Sequence, residues 1–199
     1  MKRILIIYGT SHGQTLKIAN YIADMIRIQG WSVDLADTDS INVIHLDEYS
    51  AFIAGASVQA SGFQRKFRKF VKSNSAALST KPSAFFSVCL GILQSDDSKV
   101  QLAERKIVDD FFREADWKPN IWTIFAGALP YTKYGWFTRQ IMKRISRKAG
   151  GDTDTSRDFE YTNWNDVRHF VSKFLSSLNE LKYGHDKRSG STREWTASI

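Results

Sequence analysis

The apolar residues of this chain come in two alternating rhythms, and that alternation limits the fold more than any single motif. Arg3–Tyr8 (RILIIY) is an apolar run ending at Gly9, the pattern of a strand covered on both faces. Beyond a short polar turn, Ile18, Ile22, Met25 and Ile26 recur at helical spacing, so residues 15–29 read as an amphipathic helix stopped by Gly30. The same exchange then repeats. Val33 and Leu35, Ala51–Ser57 (AFIAGAS), Ser83–Cys89 (SAFFSVC) and Ile121–Ala126 (IWTIFA) read as strands. Between them, Phe63, Phe67, Phe70 and Val71 mark one helix, and Val100, Ala103, Ile107, Val108 and Phe111 another over 98–115. The stripe Val167, Phe170, Val171, Phe174, Leu175 and Leu178 closes the series, capped at Thr162 or Asn163. Strands that alternate with helices require right-handed crossovers, hence an α/β fold with a parallel sheet of five strands between two helix layers.

One interval breaks the rhythm. Gly127–Thr162 separates the fifth strand from the last helix, where a loop of about 2–6 residues is usual. The reading is therefore a single domain over 1–182 with an insertion at 127–162, followed by a polar, aperiodic and mobile tail at 183–199. Charge concentrates in the insertion. The chain carries a formal charge of +7, and Tyr131–Ala149 holds six basic residues and no acidic one. Phe137, Ile141, Met142 and Ile145 fall on one side of a helix there, with Arg139, Lys143, Arg144 and Arg147 mostly on the other. Two alternatives stand: a basic amphipathic element on an anionic membrane surface, or a helix packed on the body with a solvated basic face. A second basic stretch, FQRKFRKFVK (63–72), interleaves five cations with phenylalanines. Its ring spacing turns the aromatics toward the sheet, which argues against nucleic acid.

The N-terminus lacks the apolar core of a signal peptide, and no run approaches the roughly 18 apolar residues of a membrane span. With one cysteine, Cys89, no internal disulfide framework is possible. The expected location is cytoplasmic.

Ligands of open parallel sheets bind beyond the carboxyl ends of the strands, where strand order reverses. The turn Gly9–Thr15 (GTSHGQT) lies there, and its amides and the helix dipole suit an anion. It is not the ATP/GTP loop, since Gln14 stands where lysine is needed, and G-x-G-x-x-G is absent. The alternative is an ordinary strand-to-helix turn without ligand. Thr-x-x-Gly-x-Thr, as Thr10, Gly13 and Thr15, resembles the phosphate loop of the flavodoxin superfamily. That resemblance implies a flavodoxin-like three-layer αβα fold with strand order 2-1-3-4-5, and FMN as cofactor. It implies contacts from Thr10, Ser11, His12, Gly13, Gln14 and Thr15, from Ala56, Ser57, Val58 and Gln59 after the third strand, and from Ser87, Val88, Cys89, Leu90 and Gly91 at the end of the fourth. Neither of the last two groups supplies the Trp or Tyr that often stacks on flavin. His12 reads as a loop residue and Cys89 as a buried strand residue.

A closer resemblance rests on GTSHGQT (9–15), GAS (55–57), PSAFFSV (82–88), Pro130, Tyr131, Tyr134, Trp136, Arg139, GGDTDT (150–155) and YTNW (161–164). The chain is similar to the menaquinone-dependent protoporphyrinogen oxidases (dehydrogenases) of haem synthesis over residues 1 to about 180. This implies a six-electron oxidation of protoporphyrinogen IX in two-electron steps, with electrons passed to a membrane quinone. Lys133, Trp136 and Arg139 are then the candidates for substrate binding, a cation meeting a propionate. Segment 131–149 would dock on the membrane's inner face. No metal site is expected, and no paired carboxylates or His clusters mark a catalytic acid or base, so the chemistry falls to the flavin. Rival readings are a flavodoxin-type electron carrier, an NAD(P)H-dependent quinone or flavin reductase, and a ligand-free interaction module. The oligomeric state and the choice of quinone stay open.

Overall fold

The computed structural model describes residues 2–41, 43–59, 62–90, 98–133, 143, 146–147 and 152–186, with side chains left out at 98–100 and 180–186. Five parallel strands form the sheet: β1 (Arg3–Gly9), β2 (Ser32–Asp37), β3 (Ala51–Ser57), β4 (Ser83–Cys89) and β5 (Ile121–Ala126). Their order is β2-β1-β3-β4-β5, so the chain reverses direction across the sheet between β1 and β3. The helices are α1 (Gln14–Ile28), α2 (Arg65–Ser73), α3 (Ser75–Ser79), α4 (Ser98–Ala115) and α5 (Trp164–Asp186). Among the described residues no helix is long and apolar enough to cross a membrane.

The apolar strands are explained by burial on both faces. Ile4, Ile6 and Tyr8 of β1 face α1 and α5, while Leu5 and Ile7 face α2–α4. On the second face Phe85 meets Phe63, Phe111 and Phe112 at centroid distances of 5.4, 5.4 and 5.3 Å. Each such pair adds about 0.5–1.5 kcal/mol beyond the area it buries. On the first face Phe86 packs on Phe125 and Phe170. Its ring lies over Gly55, its partner in the β3–β4 register, where an added Cβ would fall 2.0 Å from Cζ. Gly55 is thus required by packing.

Three details differ from expectation. Helix α2 begins at Arg65, so Phe63 packs from the preceding loop; Phe63 and Phe67 are buried against the sheet, as their spacing predicted. In α4 Ala103 is exposed, and the inward face runs through Ile107, Val108 and Phe111. Helix α5 continues to Asp186, past the point where the tail was expected to begin; residues 187–199 lie outside the described residues. The long interval after β5 also has a frame of its own. Strands β6 (Ala128–Leu129) and β7 (Phe159–Glu160) pair antiparallel and close its two ends together.

Candidate functional site

The turn that leaves β1 is held by its own side chain. Thr10 Oγ1 accepts from the Gly13 amide at 3.0 Å, and Gly13 sits at φ 91° and ψ −11°, in the left-handed region. The first helical bond of α1 runs from the Lys17 amide to the Gly13 carbonyl at 2.9 Å, which leaves the amides of Gln14, Thr15 and Leu16 ahead of the ladder. No side chain caps this end. Thr15 is fully buried, and its hydroxyl has no hydrogen-bond partner. An unsatisfied buried hydroxyl costs about 1–3 kcal/mol, which an acceptor arriving at the helix end would recover.

Three segments meet at Ser11. Its Oγ accepts from Gln64 Nε2 at 3.3 Å and contacts Gln59 Nε2, while Gln64 also donates to Ser57 Oγ at 2.7 Å. Gly9 leaves room for Gln64, since a Cβ there would stand 3.1 Å from Gln64 Oε1, tighter than an ordinary contact. Gln59 and Gly62 exchange backbone hydrogen bonds of 2.7 and 3.0 Å, closing the turn after β3, and the Val58 amide ties it to Val88.

The expected contacts therefore separate into two groups. Thr10, Ser11, Gly13 and Gln14 form the turn at the end of β1 with His12 exposed in it, Gln59 reaches that turn through Ser11, and Val58 is tied to Val88 of β4. Ala56, Ser87, Val88 and Cys89 are buried strand residues. Leu90 is half-buried at the end of β4, and Gly91 lies outside the described residues.

A family model described as a flavodoxin domain matches residues 5–156. The chain belongs to the flavodoxin family. Within it, the chain is 32% identical over 169 residues to the protoporphyrinogen IX dehydrogenase [quinone] of Escherichia coli K12, covering 85% of this chain and 92% of that one. It is 34% identical over 180 residues to the Leishmania major protein of the same name, covering 87% and 75%. A solved short-chain flavodoxin associated with a bacterial microcompartment superposes with a TM-score of 0.54 at 13% identity, over 89% of this chain and 99% of that one, a likeness of fold.

This flavodoxin-family site has a partner that sequence reading missed. Gln14 Nε2 donates to Thr162 Oγ1 at 2.8 Å, and the buried Thr162 hydroxyl donates onward to the Ala126 carbonyl at 2.7 Å. Asn163 does the capping of α5, accepting from the Asn165 amide at 3.0 Å, so Thr162 is released for this link. One turn along α1, Lys17 pairs with Glu160 and lies over the Trp164 ring. The only sequence signal was the position of YTNW at the exit of the insertion.

Within the GGDTDT stretch, Asp152 gathers three hydroxyls. Its carbonyl accepts from Tyr131 at 2.7 Å and Ser146 at 2.6 Å, and its carboxylate accepts from Tyr161 at 2.7 Å. Burial, then the hydrogen bond to that carboxylate, push the Tyr161 phenol up to about 12, so it stays protonated as a donor. Of the candidate substrate residues, Lys133 is exposed on the turn Tyr131–Lys133, while Trp136 and Arg139 lie outside the described residues. So do Phe137, Ile141, Met142, Arg144 and Ile145; Lys143, Ser146 and Arg147 are helical.

Proposed function

We propose that this flavodoxin-family protein uses FMN to oxidise protoporphyrinogen IX to protoporphyrin IX and passes the electrons to a quinone. What carries this reading is that the likeness to quinone-linked protoporphyrinogen IX dehydrogenases runs through the insertion as well as the sheet.

The residues at the end of β1 fit the FMN phosphate. The uncapped amides of Gln14, Thr15 and Leu16, the unpartnered Thr15 hydroxyl and the Thr10 and Ser11 hydroxyls supply donors without a lysine. Val58 and Gln59, with Leu90 and Gly91, would border the ring. Bound FMN supplies the two-electron chemistry. The protein positions: Gln64 holds Ser11 and Ser57 in register, and the Gln14–Thr162 bond sets the loop against the insertion.

Lys133 would meet a propionate carboxylate, together with Trp136 and Arg139. Segment 131–149 would rest on the anionic inner leaflet, each cation contributing about 1 kcal/mol near the surface. The quinone, being a bilayer solute, would then be within reach, and menaquinone is the proposed acceptor.

The test is spectroscopic. Purified protein supplied with FMN should retain a yellow chromophore that bleaches anaerobically on adding protoporphyrinogen IX and recovers on adding menaquinone. A protein that takes up no flavin, or whose flavin stays oxidised with the porphyrinogen, overturns the proposal. Bleaching by NADPH alone would favour a reductase.

A further inference from the structure

The two edges of the sheet are finished differently. On β2, Asp34 is held by Arg3 at 2.8 Å, Asp37 adds a second carboxylate, and Arg27 covers the Val33 carbonyl at 2.9 Å. Such an edge resists pairing. On β5 the strand Ile121–Ala126 contains no charge and no proline, and no strand pairs with its outer side among the described residues. Ile121, Trp122, Thr123 and Ile124 are only half-buried, whereas every residue of β4 is buried. Shallow concavities border this edge on both faces, two against α4 and one against α5. An edge with a groove on each side is suited to receiving another strand.

The charges along those grooves identify the occupant. Asp166, His169 and Lys173 follow one another down α5 beside the edge, all exposed and without an ion-pair partner among the described residues. Asp166 and Lys173 stand two helical turns apart, about 10.5 Å along the axis. On the α4 flank Glu104, Arg105, Asp109 and Arg113, with Asp116 and Lys118 beyond the helix, mix both signs along the edge. The α5 flank carries an acid and a base at opposite ends, with His169 between them. That pattern is self-complementary under a two-fold axis, because reversal sets the acid of one copy opposite the base of the other.

We propose that the protein forms a symmetric dimer through the β5 edge, with the two β5 strands antiparallel about a two-fold axis normal to the sheet. Asp166 then faces Lys173 of the partner subunit twice over. The axis points the carboxyl ends of the two sheets in opposite directions, so each site is complete within its own subunit. Dimerisation is independent of the redox chemistry and survives if that reading fails.

The test is sedimentation equilibrium of the full chain with FMN, across concentration. The expected result is a monomer–dimer equilibrium that Lys173→Glu weakens about tenfold or more, since it sets like charges face to face at two places. The swapped double variant Asp166→Lys with Lys173→Asp should restore association to within about threefold of the original, because the pattern is again self-complementary. Circular dichroism and flavin content should match the parent in both variants. A protein that stays monomeric at all soluble concentrations, its β5 edge left to another segment or another partner, overturns the proposal. A dimer indifferent to Lys173→Glu, or one the swap does not restore, overturns it too.

Discussion

Gln14 and Thr162 stand 148 positions apart in the chain and 2.8 Å apart in the fold. Through the Thr162 hydroxyl the link continues to the Ala126 carbonyl, so the turn after β1, the end of β5 and the exit of the insertion share one hydrogen-bonded chain. Thr162→Val keeps the shape and removes both bonds. It should cost about 1–3 kcal/mol in urea unfolding, the penalty for two polar groups losing their partner, and weaken FMN binding in a fluorescence titration. An unchanged flavin affinity would show that the turn does not depend on the insertion.

Gly13 tests the turn itself. Nothing lies within 4 Å of a Cβ built there, so Gly13→Ala meets no clash and reports backbone conformation alone. With φ at 91° the expected loss is about 1–2 kcal/mol in thermal unfolding, together with weaker flavin retention on dialysis. Full stability in the alanine variant would mean that the left-handed conformation is dispensable.

Gly55 makes the opposite case, a glycine kept for space. Gly55→Ala puts a methyl group into the Phe86 ring and should destabilise by about 1–3 kcal/mol. Adding Phe86→Leu should return part of that loss, and the double-mutant cycle should show a coupling well above additivity error. Strict additivity would place the strain elsewhere.

Glu104 gives a pH signature. Burial raises its carboxyl above the ordinary glutamate range, while a hydrogen bond with Cys89 pulls the other way, and one carboxylate oxygen is buried without a partner. The folded state therefore holds its proton more tightly than the unfolded one. Stability falls as pH rises through the interval between the unfolded and the raised folded value. Glu104→Gln should stabilise the protein at neutral pH, and the gain should vanish below the glutamate range. Melting curves from pH 3 to pH 8 that stay parallel for the two proteins would refute this.

Much of the architecture was legible locally. Ala51–Ser57, Ser83–Cys89 and Ile121–Ala126 are strands with the bounds their apolar runs suggested, and α4 spans the expected residues. Continuous apolar composition is satisfied by burial on both faces, as β3 and β4 show, while β5 at the sheet edge is half-buried. The turn after β1 was readable for a similar reason, since Gly13 is the residue a left-handed conformation favours. Asn74 and the short helix α3 carried no periodicity long enough to read.

The amino-acid order by itself determined which segments are strands, which are helices and where the glycine turn after β1 falls, because backbone preference and apolar period act over a few residues. Only the closed tertiary structure decided that Gln64 and Gln59 meet Ser11, that Glu160 meets Lys17 and that three side chains converge on Asp152. Polar partners at such separations leave no local pattern; they are brought together by the crossovers, and hydrogen-bond geometry then selects among whatever the packing has made adjacent.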